Sequence, residues 1–176
     1  MARPYQKANI PGPEMGISVY EPQVMANLLK SPKKKVLVIG AESLTWELNG
    51  KKLVDYLIEI ANKIDGHVVA TGHSYGYVKE KIPVDRLYDM SLMNIVNRLS
   101  DKEWNGLDGK GQYAMAIFSG HLVFYSSQAL SRLKNFTDWL TTINLDKFAH
   151  PNARFSLANL SDDDWKAFLE QLIELL

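Results

Sequence analysis

The sequence contains no cysteine. That absence excludes a disulfide, a thiolate nucleophile and any cysteine-ligated zinc or iron–sulfur cluster held by the chain's own residues. An excess of one charge is also missing: twenty lysine and arginine residues balance twenty aspartate and glutamate residues. A neutral balance argues against nucleic acid or an anionic membrane as the main partner, because both select a basic surface. Long hydrophobic runs are absent too, since VLVI at 36–39 and YAMAIF at 113–118 are far shorter than a membrane span. The opening MARPYQKANIPGPEMGISVYEP has no apolar signal-peptide core. The expectation is a cytoplasmic protein without membrane attachment. No nucleophile elbow, phosphate-binding P-loop or zincin helix occurs, and no residue presents itself as a catalyst.

What is present is an ordinary globular composition, 46% apolar and 23% charged over 176 residues. A chain of that length buries roughly 70% of the surface its unfolded form exposes, so one domain with a proper core is expected. Four prolines in the first 22 residues make residues 1–20 read as an N-terminal arm, leaving 21–176 as a single α/β domain. Pro22 suits a first helical turn, with Val24, Met25, Leu28 and Leu29 on one face until Ser31-Pro32. VLVIG at 36–40 is continuously apolar and β-branched, as in a strand covered on both faces. Asn49 is a candidate cap for a helix carrying Leu53, Leu57, Ile60, Ala61 and Ile64, and Gly66 a candidate left-handed ending. The alternation continues with strand 67–71, a helix around Leu92 to Leu99, strand 113–118, a helix over 126–133 and strand 140–145. A short fifth strand fits 154–157, and Ser161 with Asp164 opens a final helix bearing Trp165, Phe168, Leu169, Leu172, Ile173 and Leu176. The fold class is α/β, an open and mainly parallel sheet with helices on both faces.

Gly109, Gly111 and Ala114 have the spacing of a dinucleotide-binding fingerprint. They follow a polar loop and precede a strand, the reverse of the order that aims a helix N-terminus at a pyrophosphate. NGLDGKG at 105–111 reads instead as a turn-rich loop delivering the chain into the sheet. In a parallel sheet, ligands sit outside the carboxyl ends of the strands. Those ends nominate Gly40, Ala41, Gly72, His73, Ser74, Ser119 and Gly120 as cofactor-binding candidates. His67, His73, His121 and His150 have no short metal-ligand spacing, and their default is a solvent-facing loop position. Lys33, Lys34 and Lys35 read as a solvated strand entrance, and Asp162 to Asp164 as first-turn residues favoured by the helix dipole. Trp104, Tyr113, Phe118, Phe124 and Tyr125 read as core around the third strand.

The stretches LVIG at 37–40, VVATGHS at 68–74, WNGLDGKGQYAM at 104–115, KNF at 134–136 and NARFSLANLS at 152–161 carry a resemblance. In this order the chain resembles the epsilon-subunit family of the archaeal acetyl-CoA decarbonylase/synthase complex, within its carbon monoxide dehydrogenase component. It departs from the family pattern at Ala114, where an acidic residue often follows the motif tyrosine, and at His73, where a small residue often stands. The resemblance implies a Rossmann-like fold similar to the central domain of thiamine-diphosphate enzymes, which binds FAD in some relatives. It also implies association with a large alpha subunit holding nickel and iron–sulfur clusters, with self-association left open. The function so implied is that of a non-catalytic accessory subunit stabilising the alpha assembly in reversible CO oxidation and acetyl-CoA cleavage or synthesis. An FAD-binding electron-transfer module of that complex is the alternative.

Overall fold

A computed structural model describes residues 16–176 of the chain. Its centre is a sheet in which β2 (Lys35–Ile39) lies between β5 (His67–Ala70) and β7 (Met115–Ser119). Beyond β5 comes β6 (Leu87–Asp89), and beyond β7 come β8 (Thr141–Asn144), β9 (Phe155–Leu157) and, at the far edge, β1 (Ile17–Val19). All seven strands pair in parallel. From β1 at the edge the chain crosses to β2 in the middle, builds outward through β5 and β6, then returns to build the other side from β7 to β9, which meets β1. The reversal of strand order falls between β2 and β7, the place where α/β sheets open a crevice.

The continuous apolar run of β2 is explained by cover on both faces. Leu37 and Ile39 pack with helices α1 (Pro22–Leu29), α2 (Leu53–Lys63) and α6 (Asp162–Leu175). Val36 and Val38 pack on the other side with α4 (Leu92–Leu99) and α5 (Val123–Phe136). A short helix α3 (Ser74–Val78) and a two-stranded hairpin, β3 (Glu47–Leu48) with β4 (Lys51–Lys52), complete the fold. The last helix starts as the sequence suggests: Ser161 Oγ accepts the Asp164 N–H at 3.1 Å. Trp165, fully buried, donates its indole N–H to the Leu145 carbonyl at 2.9 Å.

Several local expectations are corrected. Residues 17–19 of the expected arm form β1, paired with β9; residues 1–15 lie outside the described residues. Asn49 caps no helix. It has φ 49° and Gly50 φ 87°, the paired left-handed residues that close a two-residue hairpin turn, and α2 is preceded by Lys52 instead. Gly66 is not left-handed either; it is needed because a Cβ there would lie 2.9 Å from the Lys35 carbonyl oxygen. The strand β6 was not read at all, since LYD turns only Leu87 fully inward and is too short to show a period.

Candidate functional site

The carboxyl ends of β2, β5 and β7 bring the nominated residues together, but as structure more than as an open cleft. Gly40 donates its N–H to the Ser119 carbonyl at 2.9 Å, and a Cβ on Gly40 would lie 2.0 Å from the Gly120 carbonyl oxygen. Gly120, at φ 77°, meets the 3₁₀ turn Ala41–Leu44 so closely that an added Cβ would sit 2.6 Å from Ser43 Cβ. Glycine at both positions lets the two loops close over the point where the strand order reverses. Ser43 Oγ donates to the Gly40 carbonyl at 2.6 Å, and buried Ser74 donates to the carbonyls of Thr71 at 2.8 Å and Ile39 at 3.2 Å. Gly72 and His73 remain exposed at the rim, Gly72 beside half-buried Ala41.

Beneath these loops lies a buried polar cluster that sequence reasoning missed. Asp146, with no exposed surface, accepts the Ser119 hydroxyl and the Gly120 N–H, both at 2.8 Å, on Oδ1. Asn144 donates to Oδ2 at 3.3 Å and accepts the Asp146 N–H at 2.9 Å. His150 Nε2 stands 4.0 Å from Oδ2, and His121 Nε2 stands 3.5 Å from Thr71 Oγ1. Among the described residues His121 Nδ1 and His150 Nε2 have no hydrogen-bond partner. Both histidines are buried, which corrects their expected solvent-facing placement, and His121 does not share the exposed setting of His73. Burial pushes Asp146 up to about 6, against the downward pull of its three donors. Burial likewise lowers His121 to about 3, with His150 adding to the effect, and lowers His150 to about 4. The available signal was Asn144-Leu-Asp146 at the end of a predicted strand, a polar pair where a loop would also explain it.

Chemically, the cluster is a resident carboxylate seated where an anionic ligand would seek donors. The Ser119 hydroxyl donates to Asp146 and is fully buried with it, so no substrate reaches it in this arrangement. Asp146 already holds the Ser119 hydroxyl and the Gly120 N–H, so neither is free for a flavin pyrophosphate. Moreover, α2 begins only after the 3₁₀ turn and the hairpin, so its N-terminus does not follow Gly40 directly. The donor set at Ser119 and Gly120 therefore does not fit a dinucleotide in this arrangement. Among the described residues no group of three histidine, aspartate or glutamate side chains is arranged to hold a metal ion, and no helix is long and apolar enough to cross a membrane.

The fingerprint-like loop lies at the opposite, amino end of the sheet. Lys34, next to the start of β2, pairs with Asp108 and donates to the Gly111 carbonyl at 2.7 Å. The Lys34 ammonium group holds the Asp108 carboxyl down at about 2. Gly106, Gly109 and Gly111 have φ of 76°, 70° and 102°, so glycine there serves the loop's own path. Tyr113, whose phenol burial keeps protonated, shares a hydrogen bond with His67 Nδ1 at 2.7 Å and packs on Trp104. Lys34 and Lys35 also correct the reading of a solvated lysine run, because Lys34 is half-buried and Lys35 is buried with its ammonium on the Ser31 carbonyl.

The expected aromatic core divides. Tyr113 and Phe118 are buried, whereas Phe124 is 63% exposed and sits with exposed Leu122, Val123 and Tyr125 at the start of α5. This places four successive apolar side chains in water just past the carboxyl end of β7.

The family model for CO dehydrogenase beta subunit/acetyl-CoA synthase epsilon subunit matches residues 1–176. The chain belongs to this family. It is 33% identical over 172 residues to the acetyl-CoA decarbonylase/synthase complex subunit epsilon of Methanothrix soehngenii, covering 97% of this chain and 89% of that protein. It is 38% identical over 144 residues to subunit epsilon 1 of Archaeoglobus fulgidus, covering 81% and 74%. The subunit epsilon of Methanothermobacter thermautotrophicus is 30% identical over 169 residues, covering 96% and 93%. These relatives are named as subunits of a multi-subunit enzyme complex, and the Rossmann-like sheet of the family member described here agrees with the expected fold class.

Proposed function

We propose that the chain is a non-catalytic accessory subunit of an acetyl-CoA decarbonylase/synthase complex, docked on a larger alpha subunit that carries the nickel and iron–sulfur clusters of reversible CO oxidation. In this reading it stabilises the assembly that cleaves or makes acetyl-CoA. The observation that carries it is the exposed run Leu122, Val123, Phe124 and Tyr125 in a family member whose relatives are named as complex subunits. Four adjacent apolar side chains left in water cost solvation free energy that association recovers, and such patches mark protein contacts. Two further features support the reading. The crevice at the strand-order reversal is closed by the chain's own loops, and the absence of cysteine leaves cluster chemistry to another chain.

The test is co-expression with the alpha subunit followed by size-exclusion chromatography of wild type and a Val123→Asp/Phe124→Asp variant. Both substituted residues are exposed, so the isolated chain should fold and melt as wild type. The expected result is co-elution of the wild type and roughly 100-fold weaker association of the variant, the scale of losing an interface anchor. Equal association of the two would remove α5 as the docking element.

A further inference from the structure

The amino end of the sheet holds a cleft of about 630 Å³ beneath the starts of β2 and β5, away from both the closed crevice and the apolar run. Its walls come from four separate segments. Lys30 to Lys35 link α1 to β2, Lys63 ends α2, Arg86 precedes β6, and Asp108 with Lys110 belong to the glycine-rich loop. Seven lysine and arginine residues line it against two carboxylates, Asp65 and Asp108.

What holds these cations is mostly not carboxylate. Outside the cleft four lysines meet carboxylates: Lys51 with Glu59, Lys81 with Asp55, Lys147 with Asp162 and Lys166 with Glu170. Among the described residues of the cleft only Lys34 does, through Asp108. Arg86 donates instead to the carbonyls of Ala61, Ile64 and Gly66 at 2.7–2.9 Å, Lys63 to the Ile173 carbonyl at 2.6 Å, and Lys35 to the Ser31 carbonyl at 2.7 Å. Lys33 reaches the Thr141 hydroxyl at 3.3 Å. A carbonyl or hydroxyl fixes a cation's position without cancelling its charge. A chain that is neutral overall thus concentrates positioned, uncompensated positive charge in a concavity of the size that takes one small molecule.

We propose that this cleft binds a small multiply charged phosphate compound, with Lys30, Lys33 and Lys110 as its mobile contacts and Arg86, Lys35 and Lys63 as the fixed cationic wall. Lysine ammonium groups serve phosphate as point charges, and several of them converging on one small volume match a diphosphate better than a single carboxylate. The site also gives the glycine-rich loop a task beyond its own folding. Asp108 accepts from both Lys34 and the Lys110 N–H, the latter at 3.0 Å, which sets the loop as one wall of the cleft. The inference does not depend on the docking reading, because the cleft lies at the other end of the sheet and is tested on the isolated chain.

The test is calorimetric titration of the full chain with inorganic pyrophosphate and, separately, ADP, at about 50 mM and about 200 mM salt. Lys30 and Lys110 are exposed and make no ion pair among the described residues, so a Lys30→Glu/Lys110→Glu variant should keep the wild-type melting temperature. Saturable binding is expected, weakened several-fold by the added salt and roughly tenfold or more by the variant. Equal response to both probes assigns the site to the phosphates alone, and tighter ADP binding adds a base contact. Should the double variant unfold, Lys110→Gln supplies the same comparison. Absence of saturable heat with either probe, affinity unchanged in the variants, or binding of hexaglutamate but of neither phosphate would overturn the proposal.

Discussion

Gly40 and Gly120 are the two residues on which the carboxyl end of the sheet closes, and substitution reads their contact directly. Gly40→Ala places a methyl group 2.0 Å from a backbone oxygen that cannot move without displacing β7. A loss of about 3 kcal/mol or more in urea unfolding is expected, the upper end of overpacking effects. Gly76 offers the opposite case. It lies within α3 with open space where a Cβ would go, so Gly76→Ala should stabilise by about 0.5–1 kcal/mol. The buried cluster makes a pH prediction. His121 and His150, held near 3 and 4, favour the folded state fully above pH 6.5, and that contribution is lost as the pH falls toward 4. Asp146, held near 6, acts in the other sense: its contribution is present below about pH 3.8 and lost as the pH rises through 6. Near pH 5 these three groups together take up two protons and release one on unfolding, so they should lower stability by about 1.4 kcal/mol per unit of acidification. Asp146→Asn removes the opposing proton and should roughly double that slope in urea titrations between pH 4.5 and 6.5. An unchanged slope would mean that Asp146 keeps its charge throughout.

At the scale of elements, legibility followed length and amphipathicity. The last helix was read from its cap to its apolar face, and Ser161→Ala should cost about 1 kcal/mol in thermal or urea unfolding because one N–H loses its acceptor. The inner strands β2, β5 and β7 were also legible, as apolar runs covered on both faces, and β8 through its β-branched Thr141, Thr142 and Ile143. The strands β1 and β6 were not, because three-residue edge strands carry no period of their own and are stabilised by the neighbour they join. The hairpin of β3 and β4 hid behind Asn49-Gly50, a pair that suits a helix cap and a tight turn equally well until the backbone on either side is known. The start of α5 was placed late for a physical reason too. Leu122 to Tyr125 are apolar yet face water, so burial could not be inferred from their character.

The whole molecule has two unlike ends on one parallel sheet. The carboxyl end, where such folds bind cofactors, is closed by glycine contacts over a buried carboxylate and presents an apolar helix start. The amino end presents the cation-lined cleft. From the first of these follows an expectation for the isolated chain: anaerobic titration with FAD should show no saturable absorbance or heat change. Stoichiometric flavin binding abolished by Gly72→Trp would instead favour the electron-transfer reading and require the loops at Gly40 and Gly120 to open.

The sequence by itself determined the layer architecture, the family and the limits on metal chemistry, because apolar periodicity, motif order and the lack of cysteine are properties of the linear chain. It nominated the glycine and serine positions at the strand ends as site candidates, and the structure alone showed what they touch. The seating of Asp146 against Ser119 and Gly120, the burial of His121 and His150, and the convergence of Lys33 to Lys35 with Lys63, Arg86 and Lys110 were decided by tertiary structure. Each joins residues far apart in the chain, and only the order of strands in the sheet sets which of them meet and which charges are left uncompensated.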